Sequence, residues 1–168
     1  MNLELETGRL RIRPLCLDDV EALHEVLGDA EAMVFYDHPF SRTEVVTWIE
    51  RSIERYERDG CALFAVEDRS TGELLGDNGP SVQTVEGIDH IELGWHTRRS
   101  HWGRGIATEA GAACREWAFA ALDIDHLISL VQPANAASCR VAEKLGFTVA
   151  RDVDFAAINH HLYWRNRA

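Results

Sequence analysis

The sequence predicts one α/β domain over residues 1–168, a mixed sheet with helices on both faces. Three observations carry that reading. Runs with apolar residues at every second position alternate with runs whose apolar residues recur every three or four. A glycine-rich turn, Trp102-Gly-Arg-Gly-Ile-Ala-Thr108, joins a strand-like run to a helix-like run. A second strand-then-helix unit follows it, from His126 to Leu145.

Arg9 to Leu15 alternates as a first strand, with Leu10, Ile12 and Pro14 on one face. Asp18 is placed to cap a helix that runs to about Leu27 and stops at Gly28, burying Val20, Leu23 and Val26/Leu27. Ser41-Arg-Thr-Glu44 reads as a capping box. It opens a long helix with Val45, Trp48/Ile49, Ile53 and Tyr56 inward, ended by Asp59-Gly60. Cys61 to Glu67 and Leu74 to about Pro80 read as strands joined by the turn Ser70-Thr-Gly72. Glu86-Gly87 turns the chain into a strand from Ile88 to Thr97. Beyond the glycine-rich turn, a helix from Thr108 to Leu122 buries Ala110, Ala113/Cys114, Trp117 and Ala121. His126 to Val131 is a buried strand, and Ala136 to Leu145 a short helix closed by Gly146. Val149 to Arg151 and Ile158 to Trp164 complete the sheet.

Composition narrows the function classes. The hydrophobic fraction of 46% and charged fraction of 27% are those of a water-soluble globular chain. No apolar stretch is long enough to span a bilayer, and Met-Asn-Leu-Glu-Leu-Glu lacks the features of a secretory leader, so a cytoplasmic protein is expected. Cys16, Cys61, Cys114 and Cys139 are scattered, and are read as reduced, mostly buried thiols. His90 with His96, and His160 with His161, lack the companions of a metal site, so no metal is expected. A net charge of −11 argues against a nucleic-acid partner and is compatible with a cationic amine.

The turn at residues 102–108 carries the chemistry. A glycine-rich entry to a helix presents unpaired N–H groups and the positive end of the helix dipole, which together hold phosphate. Gly103 and Gly105 permit φ > 0 and close approach of an anion, and Ala107 keeps the first turn small. No Gly-Lys-Ser/Thr is present, nor a third glycine after an N-terminal strand, so the two common nucleotide loops are excluded.

Taken with Asn135-x-x-Ser138, Glu-Lys-Leu-Gly-Phe147 and the opening Leu5-Glu-Thr-Gly-Arg-Leu-Arg-Ile-Arg-Pro14, the sequence resembles the GNAT superfamily of acyl-CoA-dependent N-acyltransferases. Gly105 and Ala107 match that family's phosphate loop, Gln/Arg-x-x-Gly-x-Gly/Ala, while Trp102 replaces its Gln/Arg. The replacement resembles the Rim-type branch of ribosomal-protein-alanine N-acetyltransferase-like proteins. The resemblance implies a GNAT-like, mostly antiparallel sheet with one splayed parallel pair of strands at the coenzyme site. It implies acetyl transfer from acetyl-CoA to a primary amine, a protein N-terminus or a small molecule, by direct attack in a ternary complex. A non-catalytic acyl-CoA-binding regulatory module is the alternative. Membranes and nucleic acids are not expected as partners, and a homodimer is left open.

The same resemblance distributes roles. Backbone N–H groups of Trp102, Gly103, Arg104, Gly105, Ile106, Ala107 and Thr108 would take the pyrophosphate, with Arg98, Arg99 and Arg104 adding charge. Trp95, His96 and Thr97 would hydrogen-bond the pantetheine arm, one N–H near Trp95 or His96 polarising the thioester carbonyl. Glu92 lies where many GNAT enzymes place a catalytic glutamate. Alternation puts His90, Glu92 and His96 on one strand face and Ile91, Leu93 and Trp95 on the other, a polarity that a merely structural strand does not need. A salt-bridged structural Glu92 is the competing reading. His96 is the second candidate base, with Asp154 and His160 behind it. Ala142 stands where many relatives carry a tyrosine acid, so Ser138 becomes the candidate for the departing sulfur, and Asn135 would orient the pantetheine or a water. Phe35, Tyr36, Asp37 and His38 would wall the acceptor cleft, an aromatic and acidic mixture suited to a cationic amine.

Overall fold

The computed structural model describes residues 4–167, so the first three residues of the Met-Asn-Leu-Glu-Leu-Glu segment, read as lacking the features of a secretory leader, lie outside it. The described residues form eight strands in one sheet and four α-helices. In chain order these are β1 (Leu5–Glu6), β2 (Leu10–Pro14), α1 (Val20–Leu27), α2 (Arg42–Arg58), β3 (Phe64–Asp68), β4 (Leu74–Val85) and β5 (Ile88–Thr97). They continue as α3 (Ile106–Ala121), β6 (His126–Val131), α4 (Ala136–Lys144), β7 (Thr148–Phe155) and β8 (Ile158–Asn166).

The sheet order is β1-β2-β3-β4-β5-β6-β8-β7. Every neighbouring pair is antiparallel except β5 and β6. Those two run parallel and share the single registered pair Glu92↔Ile128 before they part. Alternation along β3 shows why helices cover both faces. Phe64 and Val66 join one core with α3, whereas Ala65 joins a second with α1 and α2.

The α1 stripe of Val20, Leu23, Val26 and Leu27 is buried as its spacing predicts. Ser41 opens α2 with a complete capping box, its hydroxyl accepting from the Glu44 N–H and Glu44 bonding back to Ser41. Asp18 does not cap α1. A short 3-10 turn, Leu17–Asp19, precedes that helix, and Asp19 binds the Cys16 N–H and the Arg13 guanidinium instead.

Several boundaries differ from the sequence expectation. The strand after the Ser70-Thr-Gly72 turn continues through Gly76, Gly79 and Pro80 to Val85, because those residues pair with β5 along its whole length. Gly76 is needed there: a Cβ would sit 2.0 Å from the His96 carbonyl oxygen. The helix after the glycine-rich turn starts at Ile106, two residues before Thr108. The last hairpin is longer than expected, with β7 reaching Phe155. Two cysteines, Cys61 and Cys114, are buried, Cys139 is half-buried and Cys16 is exposed, so "mostly buried" fails for Cys16. Among the described residues no helix is long and apolar enough to cross a membrane.

Candidate active site

The β5/β6 separation opens a cleft of about 900 Å³. One end is the loop at residues 102–108 and the N-terminus of α4. The other is walled by residues 31–37, by α2 and by the turn between β7 and β8.

Gly105 is the N-cap of α3, in the left-handed region at φ 78°. The first bond of the helix runs from the Glu109 N–H to the Gly105 carbonyl at 2.9 Å. The preceding N–H groups, on Ile106, Ala107 and Thr108, are those that a helix start leaves without an i−4 partner, and all three residues line the cleft. Three tethers hold the loop. The Arg9 guanidinium donates to the Arg104 carbonyl at 3.0 Å and to Glu109 at 2.7 Å. The Asn78 amide donates to the Ala107 carbonyl at 3.2 Å. The Trp102 indole donates to the Thr97 carbonyl at 2.7 Å, tying the loop to the end of β5.

Of the residues expected to hold the donor, Trp95, His96, Thr97, Trp102, Gly103, Gly105, Ile106, Ala107, Thr108, Asn135 and Ser138 all line this cleft. The Arg104 side chain does not; it is exposed beside the loop. Arg98 and Arg99 also depart from expectation. Arg98 pairs with Glu25 and Glu73, and Arg99 with Asp29 and Glu31, so their charges serve the α1 side of the molecule.

Glu92 sits at the last registered pair before the strands diverge and faces the cleft. Its Oε1 accepts the Leu130 N–H at 3.2 Å, a group that loses its strand partner where β6 bends away. Burial raises the Glu92 pKa, opposed by the Leu130 N–H, by Gln83 and by the positive charges of His96 and Arg55. A carboxyl group so placed holds a proton more readily than an exposed one.

His96 lies two rungs of the same face further along. Its Nδ1 is 2.7 Å from Asp77 Oδ1 and its Nε2 is 2.6 Å from the Tyr36 hydroxyl. Asp77 is fully buried and accepts the Trp48 indole N–H at 2.9 Å through its second oxygen. Burial pulls the imidazole pKa down, but Tyr36 and Asp77 more than reverse this, and it is pushed up to about 10. The Asp77 carboxylate thus favours the charged imidazole, the form that donates from both nitrogens. In that form it does not accept a proton. The Tyr36 oxygen accepts one of those protons, which leaves its own O–H to point elsewhere. Trp48 and Asp77 were not singled out from sequence; the signal available was a polar Gly-Asp-Asn-Gly run opposite the polar face of β5.

Asn135 caps α4, its side-chain oxygen accepting the Ser138 N–H at 3.1 Å. The Ser138 hydroxyl accepts the Trp95 indole at 3.3 Å and keeps its own proton to donate. Ala142, one turn further on, is buried. On the acceptor side Phe35, Tyr36 and Asp37 line the cleft, and the Phe35 carbonyl is tied to Gln132 at 2.7 Å. His38 does not line it. It turns to Glu44 at 2.7 Å, because the start of α2 presents a carboxylate there, and it pulls that carboxyl down to about 2. His160 borders the cleft, whereas Asp154 does not. Among the described residues no cluster of side chains could hold a metal ion.

The chain resembles known proteins over nearly its whole length. The YkkB protein of Bacillus subtilis (strain 168) is 32% identical over 153 residues, covering 89% of this chain and 88% of its own. The acetyltransferase from Agrobacterium tumefaciens str. C58 superposes with a TM-score of 0.85 at 27% identity, covering 99% of this chain and 96% of that one. The RimL ribosomal L7/L12 α-N-protein acetyltransferase, solved in complex with coenzyme A, shares the fold at a TM-score of 0.81 and 19% identity, with 98% of each chain covered. The acetyltransferase (GNAT) domain family matches residues 9–148, and this chain, an enzyme with the mixed α/β fold of that family, belongs to it.

Proposed function

We propose that this protein transfers an acetyl group from acetyl-CoA to a primary amine, by direct attack in a ternary complex. The observation that carries the reading is Glu92. It is a half-buried carboxyl with raised pKa on the cleft wall, at the point where β5 and β6 part. The cleft also fits a long anionic donor. The unpartnered N–H groups of Ile106, Ala107 and Thr108 suit a pyrophosphate. The diverging edges of β5 and β6 suit an extended arm that takes backbone hydrogen bonds, Trp95, His96 and Thr97 lying along it. Bound there, acetyl-CoA supplies an acyl group activated as a thioester.

The protein's own residues then handle two protons. The amine nitrogen forms the new C–N bond, the C–S bond breaks, and the proton released from nitrogen passes to Glu92, directly or through water. Ser138 donates its hydroxyl proton in a hydrogen bond to the departing sulfur, held in place by the Trp95 indole. Tyr36, oriented by the charged His96, donates toward the acceptor half of the cleft. The acceptor is a protein N-terminus or a small amine.

Glu92→Gln keeps the shape and the acceptor for the Leu130 N–H but removes basicity. Release of coenzyme A thiol at neutral pH should fall by roughly 10²-fold or more in kcat/KM. The loss should shrink as pH rises and the amine loses its proton unaided, with acetyl-CoA affinity unchanged. A deficit that stays constant with pH, or that tracks the folded fraction, makes Glu92 structural.

A further inference from the structure

Resting on the acetyltransferase reading, we propose that the acceptor is a small zwitterion, a primary amine with a carboxylate on a nearby carbon, and that Arg51 and Arg55 of α2 bind that carboxylate. Both arginines line the acceptor half of the cleft, one helical turn apart on the same face. They are the only arginines among the described residues that do so.

Their surroundings make them unusual. The chain carries 28 acidic against 17 basic residues, and Arg98 and Arg99, just beyond the end of β5, are held by carboxylates. Neither Arg51 nor Arg55 has a salt-bridge partner among the described residues. Two forked guanidinium groups one turn apart match the two oxygens of a single carboxylate. Arg51 is exposed and Arg55 half-buried, so both can reach an anion that enters the cleft.

The other charged groups fix the orientation. Glu31 is taken by Arg99, whereas Asp37 lines the cleft without a salt-bridge partner among the described residues. Glu92 faces the same space, close enough to Arg55 to feel its charge. Cation and anion sites therefore lie near one another, which suits an amine and a carboxylate on one small skeleton. A polyamine would bring a second positive charge against Arg51 and Arg55 and is disfavoured. The aromatic rings of Phe35, Tyr36 and Trp48 beside them suit an apolar side chain on that skeleton.

The test uses the purified full chain with acetyl-CoA and measures thiol release. The amines are the standard α-amino acids and β-alanine, their carboxamides, spermidine, and a short peptide with an amidated C-terminus. At least one zwitterion should exceed its carboxamide by tenfold or more in kcat/KM. Arg51→Ala and Arg55→Ala should each raise its KM by about 10- to 100-fold, as expected for loss of a charge-assisted contact. Their KM for acetyl-CoA should not move, and Arg→Lys at each position should recover part of the loss. Equal rates with acid and carboxamide, turnover confined to spermidine or to the peptide, or no turnover with any zwitterion each overturns the proposal. Thermal stabilisation of the same samples by acetyl-CoA separates that failure from failure of the acetyltransferase reading, which requires the stabilisation whatever the acceptor.

Discussion

At the residue scale, the chain Trp48–Asp77–His96–Tyr36 sets the chemistry of one wall of the cleft. Asp77 is wholly buried, so its charge is tolerable only because two N–H donors face it. Asp77→Asn should lower the His96 pKa and cost about 3 kcal/mol of stability near neutrality, the size of a broken buried ion pair. The sign follows from the raised imidazole pKa. The contribution is full below the unfolded value of 6.5, declines as pH climbs, and is gone once pH passes about 10. Urea unfolding of wild type and variant at pH 6, 8 and 10 should show a gap that narrows with pH. A gap of constant width would mean that His96 is not the titrating partner. This cluster was only half legible in the sequence. The polar face of β5 announced Glu92 and His96, because alternation is a local signal. Asp77 and Trp48 reach His96 only through the pairing of β4 with β5 and the packing of α2, which spacing cannot show.

At the scale of elements, legibility followed local chemistry. The capping box of α2, the stripe of α1 and the loop into α3 were all readable, since each depends on residues within one turn of one another. β4 was read as ending at Pro80, because Gly76, Asp77, Asn78, Gly79 and Pro80 are poor strand formers. Tertiary pairing overrides that preference, and Gly76 is there for the close approach of the His96 carbonyl. The β7–β8 turn shows the opposite conflict. Ala156 and Ala157 both have positive φ, 50° and 63°, in a two-residue turn whose conformation favours Asn-Gly. Each alanine there costs about 1 kcal/mol relative to a residue suited to that region. Ala156→Asn with Ala157→Gly should therefore stabilise the protein by about 1–2 kcal/mol. Because Ala156 borders the acceptor end of the cleft, the acceptor KM is to be measured alongside the melting temperature. An unchanged melting temperature would show that the turn relaxes in solution.

At the scale of the whole molecule, the sheet is two blocks, β1 to β5 and β6-β8-β7, joined in register at the single pair Glu92↔Ile128. Acetyl-CoA lodged between β5 and β6 would replace the missing rungs. Ligand held only by the closed form slows opening by the factor 1 + [L]/Kd, about a hundredfold at a hundredfold excess. Amide hydrogen exchange in β6 and β8 should slow toward that limit with acetyl-CoA, while exchange in β2 and β3 changes much less. Uniform slowing across all strands would show one cooperative block instead. On the proposed function, the narrow join would also tie the lifetime of the folded chain to metabolism. A protease acts on whatever fraction of molecules has its seam open, so cells short of acetyl-CoA should clear this enzyme faster than cells with ample supply, with no change in its synthesis.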